Sequence, residues 1–379
     1  VRVVVAGAGP GGASAALELA RRGADVTLFE RSAWPRAKTC GDGVSPLALR
    51  EAQAMSLQLS GALHLTRALI TTPGGRAFRG GWPEETPWGT IVERRTFDAL
   101  LVDAAIDAGA RFFAATRVHS IEPSERGVTV TVESGGAVRR VAADVAIVGD
   151  GATGDLAAKL GFAPHRSRLV AVRGYARAVK PLAAEYGLFY DRLLTPGYGW
   201  IFPVDERRAN AGILIDERTL ARRGGNARAL FASWIASNQH ARDSLGEHPA
   251  FEDVKGGIIP TGRTRTAPRI FLVGDAAGVA DPFTAEGIFQ AMHTGRLAAG
   301  ALAESPDPAA AAARYERECA MFDRNERAAR WLRATFDASI EICARHACSH
   351  PRFGDYLNTA VFFPKTGFAP FIAGLIGAW

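Results

Sequence analysis

The sequence predicts an α/β (α+β) chain of more than one domain. Three observations carry this. The chain has 379 residues, long for a single core. It opens on a buried strand, a glycine-rich turn, a helix and a second strand. Two further apolar strands, far along the chain, each end in Gly-Asp. Hydrophobic residues at 47% and charged residues at 22% suit a globular protein with a sizeable core.

The opening stretch, "VRVVVAGAGPGGASAALELARRGADVTLFER", reads as a βαβ unit. Val3, Val4, Val5 and Ala6 form the buried strand, and Gly7-x-Gly9-x-x-Gly12 forms the turn. A helix is expected from about Gly11 to Arg22, ended by Gly23, with Val26 to Phe29 as the next strand. The spacing G-x-G-x-x-G is weak evidence alone. Here it follows a strand, opens a helix and precedes an acid, Glu30, which is the context a dinucleotide fingerprint needs. Gly7 permits the tight turn, Gly9 the approach of a pyrophosphate, and Gly12 the packing of helix on strand. The pyrophosphate sits at the helix N-terminus, where N–H groups and the dipole favour anions. Glu30 is expected to accept from ribose hydroxyls, which argues against a 2′-phosphate there.

Three later segments favour FAD over NAD. In "VERRTFDALLVDAAIDAGA" (92–110), Phe97, Leu100, Leu101, Ala104 and Ala105 repeat with helical period. Arg94 stands at its start, able to reach a cofactor or to be a solvated surface arginine. In "ADVAIVGDGATGDLAAKLG" (143–161) a strand delivers Gly149, Asp150 and Gly151 to a ligand crevice. In "PRIFLVGDAAGVADPFTAEGIFQAMHTGRLAAGAL" (268–302) a strand from Ile270 to Val273 runs into Gly274-Asp275, which aims a carboxylate at a ribityl hydroxyl. Pro282, Glu286, Gly287 and a long helix follow, and the helix start offers N–H groups to an anionic flavin ring.

Gly7/Gly9/Gly12 with Glu30, the Arg94-x-x-Phe97-Asp98 segment, Gly149-Asp150-Gly151 and "GDAAG…P…EGI" at 274–288 together resemble the FAD-binding set of the para-hydroxybenzoate hydroxylase superfamily. The resemblance covers about residues 1–305. It implies a Rossmann-like FAD-binding domain of the glutathione reductase/para-hydroxybenzoate hydroxylase type, built from residues 1–60, 90–165 and 265–305. It further implies an inserted mixed β-sheet substrate domain, 61–89 and 166–264, followed by a C-terminal helical region, 306–379. The expected FAD contacts are Gly7, Gly9, Pro10, Gly11, Gly12, Glu30, Arg31, Cys40, Gly41, Arg94, Val118, Asp150, Gly151, Gly274, Asp275, Pro282, Glu286, Gly287 and Ile288.

Two more features narrow the branch. "KTCGDGVSP" (38–46) falls where the chain should pass the flavin, and "TPGYGWIFPV" (195–204) alternates as a strand with "NAGI" (210–213) after it. Cys40-Gly41-Asp42-Gly43 and Tyr198-x-Trp200-x-Phe202-Pro203 resemble the geranylgeranyl reductase family, whose members reduce carbon–carbon double bonds of prenyl chains. The family often has a further Gly-x-Gly after the aromatic motif, where this chain has only Gly212. An isoprenoid offers no charged handle, so apolar and aromatic walls must hold it. Tyr198 and Trp200 share one strand face and Gly199 and Ile201 the other. The resemblance thus implies a small apolar substrate (prenyl lipid, quinone or natural-product intermediate) against Tyr198, Trp200, Phe202 and Phe283, with NAD(P)H as transient reductant. Hydride would come from the flavin and a second hydrogen from an acid: Cys40, Tyr198 or an ordered water. Against these roles stand blander ones: Cys40 as a small buried hydrophobe, Tyr198 and Trp200 as a packed sheet face.

The same scaffold also supports an FAD-dependent monooxygenase, which the FAD motifs do not exclude. A flavin-dependent halogenase would need a lysine after the first flavin loop, and none occurs between Lys38 and Lys159. A non-catalytic flavin-binding module is the third alternative.

The remaining chain narrows the setting. Of 45 basic residues only Lys38, Lys159, Lys180, Lys255 and Lys365 are lysine, with no dense basic run among aromatics, so nucleic acid is not an expected partner. Cys40, Cys319, Cys343 and Cys348 match neither a disulfide framework nor a zinc site, and free thiols are expected at 343 and 348. With no secretory segment and no apolar run of membrane-spanning length, a reducing cytosol is the expected compartment. "LHLTRALITTPGG", "SRLVAVRGYARAV" and "RANAGILI" read as sheet strands, and "NARALFASWIASNQ" as a helix. Residues 308–347 read as helical, with Phe322, Trp331, Leu332 and Phe336 facing inward. The apolar tail "FAPFIAGLIGAW" reads as a buried helix, or else as a cap on the substrate tunnel or a peripheral membrane contact.

Overall fold

The computed structural model describes residues 1–59, 62–81, 89–163 and 165–349; the side chains of Leu332, Phe336, Cys343 and Cys348, and the tail at 368–379, lie outside the described residues. Five parallel strands form one sheet, in the spatial order Ile270–Leu272, Val145–Val148, Arg2–Ala6, Asp25–Phe29 and Arg111–Phe113. The inner strands are buried along nearly their whole length, as a parallel sheet covered by other elements demands. Helix Pro10–Arg21 packs on helices Ile288–Glu304 and Arg94–Asp107. Gly295 makes the closest of these approaches, since a Cβ there would lie 2.2 Å from the Gly11 carbonyl oxygen. An antiparallel meander, Thr116–Ser124, Gly127–Ser134 and Ala137–Ala143, packs against the same sheet.

The second large sheet has seven strands, in the order Phe251–Thr261, Ser167–Arg177, Arg208–Asp216, Tyr198–Pro203, Glu185–Phe189, Arg67–Thr71 and Ala77–Gly81. Every pairing is antiparallel except Glu185–Phe189 with Arg67–Thr71, so the sheet is mixed. Because side chains alternate along a strand, register fixes which residues share a face. On one face three rows run across the strands: Tyr175, Asn210, Phe202 and Tyr186; Arg173, Gly212, Trp200 and Leu188; Ala171, Leu214 and Tyr198. The opposite face carries Val172, Ala211, Ile213 and Ile201, packed with the helix Ala227–Ser237 and its fully buried Trp234.

Two glycines let the aromatics fit. A Cβ on Gly199 would stand 2.1 Å from the Trp234 ring, and a Cβ on Gly212 2.3 Å from the Trp200 ring. Gly199 therefore seats Trp234 behind the sheet, and Gly212 seats Trp200 in front of it.

Among the described residues the C-terminal helical segment is two helices, Pro308–Glu318 and Ala320–Ser349. The buried Arg263 guanidinium ties both to the sheet, 2.8 Å from Glu316 and from Asp323. Trp331 corrects the sequence reading: it is 51% exposed rather than inward-facing. Among the described side chains of the last helix, Phe322, Ala329, Ile340 and Ala344 are buried, and their spacing defines a stripe that a residue two places after Ala329 cannot share. Among the described residues no helix is long and apolar enough to cross a membrane, and no cluster of ligating side chains could hold a metal ion.

Overpacking a core typically costs about 1–3 kcal/mol. Gly199→Ala is expected to lower stability by about that amount in urea unfolding; an unchanged midpoint would mean that Trp234 does not fill the space behind the strand.

Candidate active site

A single cavity of about 470 Å³ runs from the glycine-rich turn to the inner face of the seven-stranded sheet. At one end it is lined by Gly7, Gly9, Pro10, Gly11, Glu30, Arg31, Arg36, Asp150 and Gly151. At the other end it is lined by Tyr186, Leu188, Tyr190, Tyr198, Trp200, Phe202 and Leu214. Lys38, Cys40, Gly41, Arg94, Val118, Gly274, Asp275, Glu286, Gly287 and Ile288 lie between or beside them.

The turn is built for a close approach. Gly7 has φ +100°, and a Cβ there would meet the Gly149 carbonyl oxygen at 2.2 Å. A Cβ on Gly12 would lie 2.0 Å from the Gly7 oxygen. Gly9 differs: a Cβ there would meet only the Arg36 guanidinium, at 3.5 Å, so its front is open. No side chain caps the helix that Gly9 begins, leaving its N-terminus to an outside anion. Glu30 is buried, accepts from the Ala8 and Ser32 N–H groups at 3.2 and 3.0 Å, and pairs with Arg36 at 3.1 Å. Arg36 also reaches Asp98, on which Arg94 closes a two-pronged pair at 2.9 Å on each side. Arg94 is therefore a buried, braced arginine rather than a solvated one.

Gly274 and Asp275 start a short 3-10 turn after the strand Ile270–Leu272. Burial alone would push the Asp275 carboxyl up, but Lys38 at 2.6 Å holds it below the usual carboxylate range. Gly287 begins the helix Ile288–Glu304, again with no side-chain cap. An open-fronted glycine turn at one uncapped helix start, a second uncapped helix start at Gly287 and a carboxylate kept ionised fit the pyrophosphate, ring and ribityl chain of an FAD respectively.

Of the expected site residues, Gly12, Pro282 and Phe283 do not line the cavity. Gly12 is filled by Gly7, Phe283 is buried in the core beside Tyr190 and Tyr198, and the Pro282 carbonyl accepts from Arg333 at 2.8 Å. Tyr198 lines the cavity, yet its hydroxyl donates to the Thr284 carbonyl at 2.5 Å, and burial pushes its pKa up. Burial likewise raises the Cys40 thiol, against the pull of Arg94.

Sequence reasoning missed the group that joins the two halves of the site. Asn210, fully buried, accepts from the Trp200 indole N–H at 3.0 Å. Its amide donates to the Cys40 carbonyl at 2.9 Å and to the Asp42 carboxylate at 2.8 Å. Asp42 also accepts from the Tyr175 hydroxyl at 2.5 Å and the Arg94 N–H at 3.3 Å. Asp42 has φ +62°, a left-handed residue held by these bonds. Burial raises its pKa, while the Tyr175 and Asn210 bonds act to lower it. Tyr175 is stacked between the Arg173 and Arg208 guanidiniums. One asparagine thus orients the indole of the aromatic wall and pins the loop Cys40–Asp42. Its only sequence signal was a polar residue in an otherwise apolar strand, "RANAGILI".

Removing one partner of a buried hydrogen bond costs about 1–3 kcal/mol for each group left unpaired. Asn210→Ala is expected to lose at least that much stability and to shift the tryptophan emission; wild-type values for both would show that the network holds nothing in place.

The chain's relatives agree with this geometry. Residues 1–328 match the family model described as an FAD binding domain. A menaquinone reductase of Mycobacterium tuberculosis is 34% identical over 312 residues, covering 78% of this chain and 75% of the relative. A digeranylgeranylglycerophospholipid reductase of Methanopyrus kandleri is 31% identical over 325 residues, covering 80% and 77%. In fold, a geranylgeranyl bacteriochlorophyll reductase-like protein of Thermoplasma acidophilum superposes with a TM-score of 0.81 at 21% identity, covering 99% of this chain and 98% of the other. The match of the family model, the identity to these reductases and a cavity furnished for FAD lead to one conclusion: this chain belongs to the FAD-binding-domain family, in its geranylgeranyl reductase branch, and is an FAD-dependent oxidoreductase.

Proposed function

We propose that the chain reduces carbon–carbon double bonds of a prenyl lipid, a prenylated quinone or a related apolar substrate. The observation that carries this reading is the continuity of the cavity: residues suited to FAD at one end, a wall of Tyr186, Leu188, Tyr190, Tyr198, Trp200, Phe202 and Leu214 at the other. Such a wall offers area and shape to a hydrocarbon chain and little for a charged molecule to grip. The relatives named for menaquinone and for digeranylgeranylglycerophospholipid support the same substrate class.

On this reading residues 1–60, 90–165 and 265–305 hold FAD, and residues 61–89 and 166–264 hold the substrate. Gly7, Gly9, Gly11 and the helix start at Pro10 take the pyrophosphate, Glu30 the adenosine ribose, and Asp275 the ribityl chain. Gly287 and Ile288 present N–H groups to the ring. When bound and reduced, by NAD(P)H as transient reductant, FAD supplies a hydride to the substrate. Tyr198, Trp200 and Phe202 hold the substrate and exclude water, which protects the transfer from side reactions. The Tyr198 hydroxyl, tied to the Thr284 carbonyl, serves as a fixed part of that wall. A prenyl lipid is presented from a bilayer, so the reading includes contact with a membrane surface, tested by vesicle co-sedimentation.

Reduced enzyme, mixed without oxygen with a prenylated quinone or lipid, is expected to reoxidise and yield a product two hydrogens heavier. Reoxidation only on admitting oxygen, with an oxygen atom gained by the product, would instead establish a monooxygenase. Trp200→Ala is expected to keep its FAD and lose turnover by at least about 100-fold, the order of effect a misplaced substrate brings. Full turnover in that variant would reduce the aromatic wall to sheet packing.

A further inference from the structure

Adding hydrogen across a double bond takes a hydride and a proton, and the proton needs a donor on the cavity wall. Four carboxylates lining the cavity have competing engagements. Glu30 pairs with Arg36, Asp275 with Lys38 and Asp155 with Lys159, while Asp150 accepts from the Leu156 N–H behind the glycine turn. Like Asp150, Glu286 has no ion-pair partner among the described residues, but it lines the cavity two residues after the Thr284 carbonyl that holds the Tyr198 hydroxyl of the aromatic wall.

Its placement is built rather than incidental. The Asp281 carboxylate accepts from the Phe283 and Thr284 N–H groups at 2.9 and 2.7 Å and from the Thr284 hydroxyl at 3.0 Å. The Asp281 N–H closes the turn on the Glu286 carbonyl at 2.9 Å, and Ala285 takes a left-handed φ of +57°. This tight loop delivers Glu286 one residue before the uncapped helix start at Gly287. One carboxyl oxygen bonds the Ser45 hydroxyl, which comes from the stretch after Cys40-Gly41-Asp42-Gly43. Ser45 already accepts from the Ala48 N–H at 3.2 Å, so its own proton goes to Glu286. Gln290, one turn along the helix, bonds the same carboxyl group, yet its Oε1 is buried with no donor.

We propose that Glu286 is a catalytic residue of the double-bond reduction, the acid that gives the second hydrogen; this rests on the proposed function. The balance is simple. The π bond breaks, the hydride from reduced flavin forms one C–H bond, and the Glu286 O–H bond breaks as the proton forms the other. The alkene gains two electrons and the flavin loses them. Glu286 then takes a proton back from solvent water, which restores the acid. The protonation state agrees: burial, reinforced by Asp281 and opposed by Ser45 and Gln290, pushes its pKa up to about 7. The other titratable groups that feel it, Tyr186 and Tyr198, are themselves driven up by burial and stay neutral. The acid form therefore dominates below that value and is lost as pH rises through it.

The test uses anaerobic reoxidation of pre-reduced holoenzyme by a prenylated quinone or lipid, with rates expressed per bound flavin. Wild type is expected to slow as pH rises through about 7. Glu286→Gln should be slower by at least about 100-fold, the low end for loss of general acid catalysis, without that pH dependence, and Glu286→Asp should recover part of the rate. Infrared difference spectra of the FAD-free protein should contain a protonated carboxyl band that titrates and is missing in Glu286→Gln. A variant as fast as wild type with the same pH profile, or an unchanged carboxyl band, overturns the assignment. Wild type that fails to reoxidise with any prenylated acceptor sinks the proposed function, and the assignment with it.

Discussion

The site depends on a single asparagine that two distant segments share. Asn210 sits in the middle of the seven-stranded sheet and bonds forward to the Cys40–Asp42 loop and sideways to Trp200. Trp200 and Asp42 are buried, so their bonds to Asn210 are made where water cannot replace them and where an unmade one is expensive. The loop and the aromatic wall are thereby locked to one another, and the gap between them is set by the length of one side chain. Asp42 adds Tyr175 and the start of the Arg94 helix to the same network. The position of the helix that braces Arg94 on Asp98 is thus linked to the position of the indole.

Glycines do the complementary work. Gly7 and Gly12 bring a helix onto a strand at contact distance, and Gly9 leaves open the one front that a ligand would fill. Gly199 and Gly212 place one tryptophan on each side of the same sheet. The aromatic motif is thus neither plain packing nor a free wall. Trp200 is 5% exposed and firmly seated, and the small exposed part lines the cavity. A rigid wall suits a substrate with no polar handle, because orientation must come from shape alone.

Charge is distributed along the cavity by the same logic. Basic and acidic groups are paired near the glycine turn: Glu30 with Arg36, Arg36 and Arg94 with Asp98, Lys38 with Asp275. Toward the sheet the lining turns largely aromatic, with Arg173 paired to Asp253 at its edge. Glu286 stands at that border, bonded to a hydroxyl and an amide, and burial pushes its pKa up to about 7.

The sequence by itself determined the class of fold and the kind of cofactor. Those signals are local: strand, glycine turn, helix and acid follow one another within thirty residues, and their chemistry needs no partner from elsewhere. The strands around Leu169, Trp200 and Ile213 were legible for the same reason, since alternation is a property of the chain alone. Only the tertiary structure decided the rest. That Asn210 is a hub, that Tyr198 spends its hydroxyl on Thr284, and that Asp275 has a cation while Glu286 has none among the described residues are matters of what lies opposite. Apart from Trp200, ten residues before Asn210, the deciding partners are dozens to hundreds of residues away. Trp331 failed as an inward residue on the same principle: an aromatic in a helix faces the core only if it falls on the buried stripe, and that stripe is set by the surface the helix packs against.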